Sequence, residues 1–192
     1  MPPRAASTAR WLLGIAPRFD CLVQIGMHAM GYTPNACLAH SMSKGIRYKA
    51  NGREVGEMEM AACLAGHLGI PWVFTSGDAH ACAESQQWVP EIATVAVKEG
   101  LGELCAIHLA PADARALLEK EIQQAVKNTS AIAPLVLQGP VEVIIEREEP
   151  WPTELKPGAE RLDELTIRYT GDTFWRVFHH IFYGKPDFPV PA

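Results

Sequence analysis

The stretch "PWVFTSGDAHACAESQQWVPEIATVAVKEG", residues 71–100, constrains the fold more than any other part of the chain. Pro71 opens a run of strand-favouring residues that ends at Gly77. Asp78 then offers an N-cap for a helix over residues 78–89, and Thr94 begins a second apolar run that closes at Gly100. A strand, a helix and a strand in that succession signal a parallel sheet with a crossover helix, because two parallel neighbours cannot be joined by a tight turn.

The rest of the chain extends the pattern. Residues 21–27, "CLVQIGM", form a short apolar run bounded by Asp20 and the Gly31/Pro34 turn region, which suits a buried strand ending at His28. In "IRYKANGREVG", Asn51-Gly52 supplies the two positive-φ residues of a type I′ turn, so a β-hairpin is expected there. Residues 57–68, "EMEMAACLAGHL", lack β-branching and predict a helix buried on most faces, stopped by Gly69. Pro111 opens a helix reaching Lys127. A Val/Ile strand follows over residues 141–148, then a Pro-rich link over 150–157, a strand over 164–170 and a final helix over 172–183 bearing Phe174, Trp175, Phe178 and Phe182. The expected fold class is α/β, with a mixed, largely parallel sheet flanked by helices. A core of residues 1–108 would carry the site, and residues 109–192 would form a smaller α+β lobe. Pro186, Pro189 and Pro191 mark a frayed tail.

Composition narrows the partners. With 17 Lys and Arg against 22 Asp and Glu, a net charge of -5 and no basic cluster, the chain lacks the electrostatic footprint of a nucleic-acid binder. No stretch approaches the roughly 20 apolar residues of a membrane helix. The opening "MPPRAASTARWLLGIAP" has too short an apolar patch for a signal peptide. The five cysteines (Cys21, Cys37, Cys63, Cys82, Cys105) form no C-x-x-C pair and read as reduced core residues of a cytoplasmic protein.

Several polar residues carry chemistry. His28 falls where the first strand leaves the sheet, and ligands of open α/β sheets gather beyond the carboxyl ends of strands; a hydrogen-bonded structural histidine fits the same place. Glu57 opens a helix, where the dipole favours a carboxylate whether or not it binds anything, and Glu59 shares that reading. His40 follows a proline turn and could bind metal or move a proton. Two histidines and one glutamate match the three protein ligands of an open catalytic zinc site, although their spacing differs from H-E-x-x-H. His80, at a strand-to-helix junction, is a second-rank candidate. His67 suits a partly protonated ring at a helix end, His179 and His180 suit surface or subunit contacts, and His108 has no supporting context.

The order "GMHA", "TPNACLAHSMS", "NGREVGE", "AGHLGIPWVFTSGD", "VAVKEGLG" and finally "LKPGAERLDELTIRYTGDTF" resembles the DppA-type zinc D-aminopeptidase family, from about Trp11 to the last helix. The resemblance implies that His28 and Glu57 are metal ligands of a two-zinc centre. It implies that His40, in "H-S-M", acts as nucleophile or general acid/base rather than as a ligand. It further implies short peptides with N-terminal D-residues as substrates, and self-association into a ring-shaped homo-oligomer. The family's N-terminal "D-M-E-G" strand, whose acids bind metal, and a further zinc-binding histidine soon after it have no counterpart here. Residues 1–20 look like the helix just before the "G-x-H-A" strand. The family's "G-D-D" reads Gly77-Asp78-Ala79. One Glu with one or two His cannot balance two divalent ions, so one zinc or none is expected. The absent first strand would also leave a sheet edge for a partner subunit to cover.

Two functional readings follow: a zinc-dependent aminopeptidase of reduced activity, or a non-catalytic homo-oligomeric remnant that binds without hydrolysing.

Overall fold

The computed structural model describes residues 19–190, so all but the last two positions of the helix expected over residues 1–20, and the last two residues of the tail, lie outside it. In chain order the elements are β1 (Leu22–Met27), β2 (Ile46–Ala50), β3 (Arg53–Val55), α1 (Glu57–His67), β4 (Trp72–Asp78), α2 (Ala79–Trp88), β5 (Ala93–Gly102), β6 (Cys105–His108), α3 (Pro111–Lys127), β7 (Val141–Arg147), β8 (Glu160–Arg161), β9 (Thr166–Gly171) and α4 (Phe174–Tyr183).

The strands form two sheets. The first has the order β1-β4-β5-β6, with β1, β4 and β5 parallel and β6 folded back antiparallel at the outer edge. The predicted strand–helix–strand unit is therefore β4-α2-β5. The second sheet, β3-β2-β7-β9-β8, is antiparallel throughout. It joins the β2–β3 hairpin, from the first half of the chain, to strands that lie beyond residue 108. That hairpin turns at Asn51 (φ 48°) and Gly52 (φ 79°), the two left-handed positions a type I′ turn requires.

Helix α1 touches β1 and β4 of the parallel sheet and α4 of the other layer, which explains its lack of a polar face. Met58, Met60, Ala62, Cys63 and Leu64 are all buried and join Trp72, Val143, Ile167, Trp175 and Phe178 in the main core. On the far side of the parallel sheet, α3 covers β4 and β5 through Leu118, Ile122 and Ala125 against Val73, Phe74 and Val95. The aromatic stripe of α4 thus packs into the core. Thr173 caps the helix by accepting from the Arg176 N–H, and Gly184 ends it in the left-handed conformation (φ 66°).

Strand β6 was not foreseen. Its CAIH sequence is short, and its outer side has no neighbour among the described residues. Its position corrects the reading of Cys105 as a core residue: all five cysteines are free, but only Cys63 and Cys82 are buried, and Cys105 begins an exposed edge.

Candidate metal centre

His28 directly follows β1. Its place depends on Gly77, paired with Met27 in the β1–β4 register. Gly77 has φ 156°, and a Cβ there would stand 2.0 Å from the Met27 carbonyl oxygen, so only glycine lets the two strand ends approach this closely. Glu57 is the first residue of α1, after Gly56, where a Cβ would meet the Met30 side chain at 2.8 Å. His40 sits in the long connection between β1 and β2, and its backbone N–H donates to the Ala29 carbonyl at 3.3 Å.

That connection holds four non-glycine residues in the left-handed region: Tyr32, Asn35, Leu38 and Met42. Such backbone is strained for side chains of this size and persists only where surrounding contacts fix it. Two buried acids supply those contacts. The Glu84 carboxylate accepts from the Met30 N–H at 2.9 Å and from the Thr33 hydroxyl. The fully buried Asp78 carboxylate accepts from the Cys37 N–H at 2.9 Å, the His80 N–H at 3.0 Å and the Gly100 N–H at 3.4 Å, tying the loop to β5 and α2. Asp78 was legible in the sequence only as an N-cap. Glu84 gave no sequence signal, because its partners lie some fifty residues away.

The three residues first singled out converge. His28, His40 and Glu57 each offer a ligand atom within 4.8 Å of the others. His28 Nε2 is 3.4 Å from Glu57 Oε2, and His40 Nε2 is 3.9 Å from Glu57 Oε1. The imidazole rings stack at 3.9 Å with 19° between their planes. Each ring's Nδ1 faces a backbone carbonyl, that of Ala29 for His28 (2.9 Å) and that of Leu38 for His40 (2.7 Å). A carbonyl oxygen only accepts, so both Nδ1 atoms carry hydrogen, and in the neutral rings both Nε2 lone pairs face Glu57. Glu57 Oε1 accepts from the Met42 N–H at 3.0 Å, whereas Glu57 Oε2 is buried with no hydrogen-bond partner.

This donor set fits a zinc ion. Two ligand atoms bound to a tetrahedral zinc at about 2.1 Å stand about 3.4 Å apart. The His28 Nε2 to Glu57 Oε2 separation matches that value, and it involves the carboxylate oxygen that lacks a partner. The His40 contact is longer and meets the oxygen already engaged by Met42. The His40 side chain is also the most open of the three, 34% exposed against 23% for His28 and 14% for Glu57.

Burial governs the titration of the surrounding groups. It pushes Glu59 up to about 7, even though that carboxylate accepts from the Gly56 N–H at 2.8 Å. It raises Glu84 against the opposing pull of its Thr33 and Met30 hydrogen bonds. It lifts Tyr48 to about 12, with the Glu57 charge adding to the effect.

The other histidines lie elsewhere. His80 is in the first turn of α2 and lines a separate cavity of about 500 Å³ with Glu84, Arg47, Arg53 and Trp88. His67 stacks on Trp175 at 5.5 Å, and burial holds its pKa below the ordinary histidine value, which corrects the expectation of a partly protonated ring. His179 is buried rather than at the surface, stacked on Phe188 at 4.4 Å; His180 is half-buried beside Tyr169, and His108 is exposed on β6.

Comparisons with known proteins give the family and the fold. The sequence profile of a family described as D-aminopeptidase matches residues 7–182. The chain is 32% identical over 123 residues to the D-aminopeptidase of Bacillus subtilis (strain 168), a match covering 64% of this chain and 44% of that protein. Thus the matched part spans less than half of the curated relative. In structure, the chain superposes with a TM-score of 0.83 and 24% identity on a solved chain described as a Zn-dependent D-aminopeptidase, DppA from Bacillus subtilis, a self-compartmentalizing protease. That superposition covers 94% of this chain and 68% of the solved one, a likeness of fold.

Proposed function

The chain belongs to the D-aminopeptidase family, and from that premise we propose that it is a zinc-dependent hydrolase releasing the N-terminal D-residue of short peptides at the His28–His40–Glu57 centre. The observation that carries this reading is the buried, unpartnered Glu57 Oε2 facing His28 Nε2 at 3.4 Å.

In this reading His28 and Glu57 hold one zinc, and His40 moves the proton. A bound zinc supplies Lewis-acid polarisation of the peptide carbonyl and acidifies water. His40, its Nδ1–H fixed on the Leu38 carbonyl, presents Nε2 as the basic nitrogen. It accepts a proton as the water oxygen bonds to the carbonyl carbon, then returns it to the amide nitrogen as the C–N bond breaks. The Met42 N–H orients Glu57 by holding Oε1, which leaves Oε2 free to bind. Asp78 and Glu84 keep the loop from yielding as peptide enters.

Self-association belongs to the same proposal. The solved relative is described as self-compartmentalizing. Here β1 pairs on one side only among the described residues, and Leu104 and Ile107 are exposed beside the β6 edge. Open strand edges flanked by apolar side chains favour pairing between copies. A cytoplasmic location suits the free thiols, and no described helix is long and apolar enough to cross a membrane.

Hydrolysis of D-alanyl-D-alanine by zinc-loaded protein, compared with L-alanyl-L-alanine, tests the activity. Zinc-dependent release of D-alanine supports it. Zinc binding without hydrolysis of either peptide would favour the binding-only remnant.

A further inference from the structure

We propose that Glu148 is the group that receives the α-ammonium of the peptide, so that the site accepts only chains with a free amino terminus; this rests on the aminopeptidase reading above. A cavity of about 350 Å³ opens beside His40, between the β1–β2 connection, the β5–β6 turn and the start of β2. Its volume lies at the small end for ligand pockets, which suits a short peptide. In an aminopeptidase a single Cα separates the amino group from the scissile carbonyl. The anchor for the ammonium and the group that handles the reaction's protons must therefore border one space. Glu148 and His40 do so.

Three charged side chains besides His40 line this cavity: Lys44, Glu103 and Glu148. Lys44 and Glu103 form an ion pair with each other, which leaves the charge of Glu148 to set the sign of the space. Among the described residues Glu148 has no cationic partner; its Oε1 accepts from the Tyr32 hydroxyl at 2.9 Å. Its second oxygen lies over Gly45, where a Cβ would stand 3.1 Å away, so glycine at that position (φ 71°) leaves the carboxylate room. Oε1 is thus held, and Oε2 accepts no hydrogen bond among the described residues. An ammonium bound there forms a charge-assisted hydrogen bond, stronger than one between neutral groups.

The other carboxylates around the centre have other roles. Glu57 accepts from the Met42 N–H through Oε1 and keeps Oε2 for zinc in the reading above, and Glu84 accepts from Met30 and Thr33. Arg47, stacked over the Tyr32 ring at 4.4 Å, pairs with Glu54 and Glu146 rather than with Glu148.

The test compares binding of D-alanyl-D-alanine and N-acetyl-D-alanyl-D-alanine to metal-free protein, by calorimetry or ligand-observed NMR. Wild type, Glu148→Gln and Glu148→Asp are each checked for fold by circular dichroism. Glu148 is exposed, so these variants are expected to fold. Wild type should bind the free-amine peptide roughly 10- to 100-fold more tightly than the acetylated one. Glu148→Gln should abolish that preference without changing the acetylated peptide's affinity, and Glu148→Asp should restore part of it. Retention of the preference in Glu148→Gln, or no binding of the free-amine peptide to wild type, would overturn the assignment. Zinc-dependent hydrolysis is scored separately. Hydrolysis with an unchanged preference in Glu148→Gln removes Glu148 and spares the aminopeptidase reading, whereas amine-selective binding without hydrolysis keeps Glu148 and removes the activity.

Discussion

His28 Nε2 lies 3.4 Å from Glu57 Oε2 although an irregular loop and a β-hairpin separate the two residues along the chain. The pair meets because β1 ends where α1 begins, and the amide of Gln24 in β1 donates to the Met58 carbonyl in α1 at 3.0 Å. The site is therefore built on regular elements at its His28–Glu57 end and on a strained loop at its His40 end.

His40→Ala should separate those two ends. Zinc content should stay near that of the wild type, while the rate of D-alanyl-D-alanine hydrolysis falls by roughly 10²–10⁴-fold, the usual contribution of a positioned acid or base. Metal analysis beside kinetics checks both. Loss of zinc with the rate would make His40 a ligand instead.

Glu84→Ala should damage the centre without touching it. Removing the carboxylate leaves the Met30 N–H and the Thr33 hydroxyl without their acceptor in a half-buried setting. A cost of about 1–3 kcal/mol is expected in denaturant unfolding, with weaker zinc binding because Met30 sits next to the His28–Ala29 turn. Glu84→Gln, which keeps an acceptor oxygen, should cost less.

Gly77→Ala tests the close approach of β1 and β4. A methyl group 2.0 Å from the Met27 carbonyl oxygen, on backbone at φ 156°, forces the strand ends apart and carries His28 with them. We expect destabilisation of about 2 kcal/mol or more, among the larger single-residue effects, together with reduced zinc affinity. Gly52→Ala, with nothing within 4 Å of its Cβ position, serves as a control for left-handed strain alone.

These positions also show how much the sequence discloses. The β4-α2-β5 unit, the Asn51-Gly52 hairpin and helices α1, α3 and α4 were legible because each rests on local periodicity and turn or cap chemistry. The sequence also singled out His28, His40 and Glu57, which the structure brings together, through the motifs that carry the family resemblance. The antiparallel sheet was not legible, since its β2–β7 pairing joins segments nearly a hundred residues apart and no local pattern encodes register across that distance. Glu84 and Asp78 were missed as supports of the site for the same reason: each has partners in a loop distant along the chain, Met30 and Thr33 for Glu84 and Cys37 for Asp78. His67 was misread because a histidine at a helix end resembles a capping cation until Trp175 is seen stacked on it.

The buried histidines give stability a defined pH dependence. Burial lowers the pKa of His179, whose Nδ1–H donates to the Trp175 carbonyl at 2.7 Å, and burial also lowers that of His67. Lowered folded-state values mean that the unfolded chain binds protons first. Their contribution to stability is then full above the ordinary histidine pKa of about 6.5 and declines as pH falls from there toward the folded values. Glu59 and Glu84, whose values burial raises, act in the opposite sense, because the folded chain takes up their protons first. Thermal unfolding with a chelator present, at pH 5.5 and pH 7.5, therefore isolates the histidine share by comparison: His179→Phe, which keeps a ring against Phe188, should be more stable at pH 5.5 relative to pH 7.5 than wild type is. An unchanged slope in the variant would assign the acid sensitivity to other groups.

Zinc stoichiometry of the reconstituted protein, measured beside His28→Ala and Glu57→Gln, tests the central claim most directly. One zinc per chain is predicted, with affinity lowered more than 100-fold in both variants, beyond the effect of losing an outer-shell partner. Zinc bound equally well by wild type and both variants, or no zinc bound by wild type, would contradict a metal centre built on His28 and Glu57.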